Sequence, residues 1–176
     1  MSGTLFVVAT PIGNLDDLSP RARETLEKVN LIAAEDTRRT GRLLSHLGVK
    51  TPLIALHDHN EAEVVGRLID DILQGSAVAL VSDAGTPLIS DPGYRLVSAA
   101  HENVVRVTPI AGPSAVSAAL SAAGLPTDRY CFEGFLPAKQ KARQGRLAEL
   151  KNETRSIVFF ESVHRVRDSL ADMVES

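Results

Sequence analysis

The residues best suited to bind a small molecule form one run, Ser82-Asp83-Ala84-Gly85-Thr86-Pro87-Leu88-Ile89-Ser90-Asp91-Pro92-Gly93. Its glycines and prolines forbid regular structure, and its serine, threonine and aspartates supply short polar side chains. The apolar run before it, Ala77 to Val81, reads as a buried strand. The loop therefore hangs from the carboxyl end of a central strand, where ligands bind in open α/β sheets. Small residues let a ligand approach the backbone closely, and a plain strand-to-helix connection needs only a few residues. Two similar corners follow other strands: Thr10-Pro11-Ile12-Gly13-Asn14, and Pro109-Ile110-Ala111-Gly112-Pro113-Ser114, the latter also a helix start. No Walker lysine follows the central loop and no G-x-G-x-x-G opens the first helix, so a phosphate cradle is a weak reading. His57-x-His59 has no third ligand nearby and reads better as a turn into an Asn60 helix cap than as a metal site.

The elements that position these corners alternate. Strands are predicted at Leu5–Ala9, Leu31–Ala34, Leu53–Leu56, Ala77–Val81 and Val104–Val107. Helices are predicted from Ser19-Pro20, from about Arg38 to Gly48, from Asn60 to Gly75, over Tyr94–His101 and over Ala115–Ala123. Strand-helix alternation implies a parallel sheet covered on both faces. After Gly124 the composition shifts and aromatics cluster at Tyr130, Phe132, Phe135, Phe159 and Phe160. Strands at Tyr130–Glu133 and Ser156–Phe160, with helices at Lys139–Asn152 and from His164, read as the start of a second domain. The expected architecture is α/β: an N-terminal parallel-sheet domain over residues 1–124 and a partial second α/β domain over 125–176. Two strands hide their faces poorly, so the chain is expected to be a piece of a longer protein or to be completed by a partner.

Bulk properties exclude little. The 176 residues suffice for a real core, and a formal charge of −3 gives no global pull toward nucleic acid. Any RNA contact must come from local patches. The single cysteine, Cys131, forbids an internal disulfide and fits a reducing compartment. With no signal pattern and no membrane-length apolar stretch, the cytoplasm is the expected location.

Taken in order, Thr10–Leu15, Glu35–Arg38, Ser82–Gly93, Gly112–Ala115, Phe132–Pro137 and Phe159–Arg165 closely resemble the ribosomal RNA small-subunit methyltransferase I family. That family lies within the tetrapyrrole methylase superfamily. The resemblance implies a tetrapyrrole methylase-like fold and methylation of the ribose 2′-hydroxyl of a cytidine in 16S rRNA. It also implies S-adenosyl-L-methionine as donor, a homodimer, and the small ribosomal subunit as partner. Val163 stands where the family more often has proline. By comparison with the superfamily, donor contacts fall at Ile12, Thr86, Ile89, Ser114, Ala115 and Glu161. Asp83, Gly85 and Pro113 belong to the same corners, whose small residues and apolar neighbours suit an adenosyl group.

Methyl transfer to a ribose hydroxyl needs alignment and gains from a general base. Asp36, Glu161, Asp83 and His57 are the candidates, and their spacing does not separate them. Asp36 equally fits a turn residue paired with Arg38 or Arg39, and Asp83 an Asx-turn. Arg38, Arg39 and Arg42 form a basic cluster at a strand end, placed to anchor phosphates. Lys139, Lys141, Arg143 and Arg146 form a second, which fits a solvated helix face as well as RNA. The alternatives are a superfamily methylase acting on a tetrapyrrole or on a modified histidine of a translation factor, and a non-catalytic fragment that only binds ligand or RNA.

Overall fold

The computed structural model describes residues 3–175, leaving Met1, Ser2 and Ser176 outside the described residues. The chain forms two compact units, the first ending at Ala115 and the second beginning at Val116. The compositional shift after Gly124 thus falls inside the second unit.

The first unit holds β1 (Thr4–Val8), α1 (Pro20–Lys28), β2 (Leu31–Ala34), α2 (Thr37–Leu47), β3 (Leu53–Ala55), α3 (Glu61–Leu73), β4 (Ala77–Val81), α4 (Tyr94–Glu102) and β5 (Arg106–Ile110). A short 3-10 turn, Leu15–Asp17, follows β1. The strands are all parallel, in the order β3-β2-β4-β1-β5. Alternate residues of β4 enter different cores, as burial on both faces requires. Val78 and Leu80 pack with Leu68 and Ile72 of α3 and Leu96 of α4. Ala79 and Val81 pack with Leu26 of α1 and Leu44 of α2. Chains leaving the adjacent strands β1 and β4 therefore depart to opposite faces. That divergence opens a crevice at their carboxyl ends, the usual ligand position in such sheets.

Local chemistry explains the helix ends. Ser19 caps α1 by accepting from the Ala22 amide at 3.1 Å, with Pro20 at the first helical position. Gly48, at φ +73°, closes α2. Asn60 stands at the N-cap position of α3 as expected, but its side chain makes no cap hydrogen bond. Its side chain turns back, accepting from the His57 amide at 2.8 Å and donating to the Ala55 carbonyl at 2.9 Å. The strand predicted at Val104–Val107 is also corrected. Val104 sits in the left-handed region at φ +56°, and β5 instead runs through Pro109. Proline lacks a donor, but β5 is an edge strand, where that is tolerated.

In the second unit, α5 (Ala115–Ala122, begun by the last residue of the first unit) precedes β6 (Tyr130–Phe135), α6 (Gln140–Leu150), β7 (Ser156–Phe160) and α7 (Val166–Glu175). β6 and β7 pair in parallel. β6 outlasts its predicted end because a bulge between Phe132 and Gly134 lets the strand continue. Phe132 and Phe135 both meet Phe160 edge to face, at 4.8 and 5.7 Å between centroids. Phe132 and Phe160 are half-buried and pack the sheet, while Phe135 leaves 54% of its surface exposed.

Candidate functional site

Three corners of the first unit converge. After β1 and β4, Thr10 and Gly85 form an antiparallel bridge: the Thr10 amide donates to the Gly85 carbonyl at 2.9 Å and the Gly85 amide returns the bond at 3.0 Å. The Thr10 hydroxyl donates to the Ser82 carbonyl at 3.3 Å. After β5, the Pro113 carbonyl accepts from the Thr86 hydroxyl at 3.1 Å. Gly85 holds φ +87°, and a Cβ there would lie 3.3 Å from the Ile12 side chain and 3.8 Å from the Pro113 carbonyl oxygen. Ile12, Gly85, Thr86 and Pro113 are thus brought together, with Ser114 and Ala115 next along the chain. Leu88 and Ser90 take positive φ of 73° and 65°, conformations that cost energy and cluster at ligand sites. Ile12 and Ile89 leave 38% and 39% of their surface exposed.

A second set of contacts ties this loop to β2. The Asp83 carboxylate accepts from the Asp36 amide at 3.1 Å and pairs with Arg39 at 3.2 Å. The Asp83 amide in turn donates to the Glu35 carboxylate at 3.2 Å. Asp83 is therefore a cross-loop tie, not an Asx-turn. Asp36 caps α2 through the Arg38 amide at 2.8 Å, and the Arg38 guanidinium binds both its oxygens at 3.1 and 2.8 Å. Those bonds hold the Asp36 carboxyl well below the usual carboxylate range. A carboxylate held so low is a poor base. Glu35 behaves oppositely: burial pushes its carboxyl up, and Asp83, Asp91 and Asp58 add to the rise. Burial also raises Asp91. Spacing in the sequence gives no reason to prefer Glu35 over Asp36; the difference arises only when Arg38 folds onto one of them. His57 packs edge to face against His59, with ring centroids 5.9 Å apart.

Glu161 belongs to the second unit. Its carboxylate accepts from the Ser169 hydroxyl at 2.7 Å and the Ser162 amide at 2.8 Å, and pairs with Arg165 at 2.6 Å. Burial opposes its ionisation, but these partners outweigh it and the carboxyl is lowered. Of the second basic cluster, Lys139 and Lys141 are exposed. Arg146 is engaged by Glu133 and Glu149. Arg143 requires correction as an RNA contact: it is 4% exposed, pairs with buried Asp172 at 2.6 Å, and donates to the Ala138 carbonyl at 3.2 Å. Its charge is neutralised inside the unit. In the first cluster Arg38, Arg39 and Arg42 are all exposed.

The model of the Tetrapyrrole (Corrin/Porphyrin) Methylases matches residues 4–176. The chain belongs to the tetrapyrrole methylase family. Within it, the chain is 59% identical to the ribosomal RNA small subunit methyltransferase I of Pseudomonas aeruginosa, over 98% of this chain and 61% of that protein. Identity to the protein of the same name from Haemophilus influenzae is 56%, with the same coverages. To that of Halalkalibacterium halodurans it is 50%, over 98% of this chain and 60% of the relative. The chain thus spans about three fifths of the length of these curated relatives. Among solved structures, the uroporphyrin-III-C-methyltransferase of Thermus thermophilus aligns with a TM-score of 0.60 at 20% identity, covering 84% of this chain and 74% of that one. At that identity the likeness concerns the fold alone. No helix among the described residues is long and apolar enough to cross a membrane.

Proposed function

We propose that this chain is part of an S-adenosyl-L-methionine-dependent methyltransferase acting on the ribose 2′-hydroxyl of a cytidine in 16S rRNA. The observation that carries the reading is the identity of 50–59% to proteins named ribosomal RNA small subunit methyltransferase I, over nearly the whole chain. The convergent corners supply a physical basis. Their residues suit the donor: small groups for its polar end, and the exposed Ile12 and Ile89 for adenine. Gly85, Thr86, Pro113, Ser114 and Ala115 complete that set in the first unit. Bound there, the donor supplies an electrophilic methyl group on a sulfonium.

The chain's own residues orient and hold. Asp83 fixes the loop through the Asp36 amide and Arg39, so its part in donor binding is positional. Asp36 and Glu161 have their oxygens engaged, which disfavours both as general base. Glu35, raised by burial, is the carboxyl at these strand ends best suited to take a proton. Arg38, Arg39 and Arg42 are the phosphate anchors of this reading, joined by Lys139 and Lys141. The working form is a cytoplasmic homodimer acting on the small ribosomal subunit.

Methylation assays test the choice of substrate. With labelled donor, the protein is expected to methylate 30S subunits at a cytidine 2′-oxygen. Transfer to a corrin precursor and none to the subunits would replace it with the tetrapyrrole alternative.

A further inference from the structure

A hollow of about 240 Å³ opens in the first unit between α2 and the Leu15–Asp17 turn. Thr10 and Ser82, beyond the ends of neighbouring strands β1 and β4, line its base. Pro11, Leu15 and Leu43 give it apolar walls. Arg39, Leu43 and His46 recur at helical spacing, so one face of α2 borders it, with Arg42 alongside. Two features exceed what a solvated helix face needs. The Ser82 hydroxyl lies in a residue only 3% exposed, with the Asp91 carboxyl as its polar neighbour but no well-formed hydrogen bond closed to it. Buried polar atoms are normally well paired, so a hydroxyl so loosely held beside a hollow is available to a ligand there. Secondly, Arg42 and His46 have no ion pair or hydrogen bond among the described residues, while Arg38 and Arg39 are held by Asp36 and Asp83.

We propose that this hollow receives the target nucleotide of the RNA, splayed out from its neighbours. The base lies between Leu15 and Leu43, the Ser82 hydroxyl meets its polar edge, and a flanking phosphate sits on Arg42 and His46. Reading of single-stranded RNA commonly works this way, with unstacked bases held on side-chain faces and phosphates on cations. The inference rests on the RNA reading proposed above and deepens it. A hollow of about 240 Å³ is of the order of one pyrimidine nucleotide. Thr10 lines the hollow and also pairs with Gly85, so the nucleotide site and the donor loop meet at one residue.

The test is a titration of methyl-labelled protein with a short cytidine-containing oligoribonucleotide, followed by NMR, with donor affinity measured alongside. The Leu15 and Leu43 methyl signals are expected to shift. Leu15→Glu and Arg42→Ala are each expected to weaken oligonucleotide binding about tenfold while S-adenosyl-L-methionine affinity is retained. Both positions are exposed enough for the variants to fold. Shifts confined to other residues, wild-type affinity in both variants, or no binding to the folded protein would overturn the proposal. Oligonucleotide binding in the hollow without methyl transfer to 30S subunits would instead sink the methyltransferase reading and leave the nucleotide site standing.

Discussion

Thr10 and Gly85 exchange a reciprocal pair of backbone hydrogen bonds, 2.9 and 3.0 Å long, clasping the turn after β1 to the loop after β4. The clasp joins the two strands whose connections leave toward opposite faces of the sheet. It fixes Gly85 where a side chain would press on Ile12 and point toward Pro113.

Gly85→Val is therefore expected to abolish S-adenosyl-L-methionine binding. The residue holds φ +87° and lies 3.3 Å, at its notional Cβ, from Ile12. Strain at such a position costs about 1–3 kcal/mol, and the added methyls occupy the ligand's space. Calorimetry on the folded variant checks this; wild-type affinity would contradict the assignment of the loop.

Acidification should act in opposite directions on two neighbours. The Asp36 carboxyl is lowered in the folded state, so its stabilisation is present above its unfolded pKa of about 3.9 and is lost as pH falls further. The Glu35 carboxyl is raised, so its contribution is fullest below its unfolded pKa of about 4.3 and is lost as pH rises through its folded value. At neutral pH, Asp36→Asn should lower the melting temperature and Glu35→Gln should raise it. Melting curves across pH for the two variants check the signs.

Arg143 and Asp172 are 5% and 2% exposed at their side chains. Gln140 and Gln144 also donate to the Asp172 carboxylate, at 3.1 and 3.0 Å, binding α6 to α7. Breaking one partner of a buried pair costs about 3–5 kcal/mol. Arg143→Met should reduce stability by that amount in denaturant titrations, and adding Asp172→Leu should recover part of it.

Val104, the residue after the Asn103 cap of α4, holds the left-handed conformation with 90% of its surface exposed. A β-branched residue is strained in that backbone and gains no burial in return. Val104→Gly should stabilise the protein by about 1 kcal/mol, measured by thermal or chemical unfolding.

Removing the charges of Arg38, Arg39 and Arg42 together should weaken RNA binding and flatten its salt dependence, by a slope of about 0.7–0.9 for each phosphate no longer neutralised. Affinities measured across a salt series check this. An unchanged slope would exclude the cluster from the interface.

The Val78–Gly93 stretch was legible because a short apolar run and a Gly/Pro-rich loop are local patterns, and parallel topology then dictates the end of the sheet from which the loop emerges. Ser19 and Gly48 were legible as helix ends for the same local reason. Other features depend on partners distant in the chain. Pro109 reads as a strand breaker until β5 is seen to be an edge. Arg143 reads as one of a run of surface cations until Asp172 reaches it from another helix. Glu35 and Asp36 are neighbours of similar chemistry, and only folding gives Arg38 to one and burial to the other.

The convergence of three corners on the donor is tested most directly by nuclear Overhauser contacts between S-adenosyl-L-methionine and the methyl groups of Ile12, Thr86 and Ala115, each from a different corner. Contacts to all three are expected. A bound donor whose contacts fall on other residues, with none at these methyls, would contradict it.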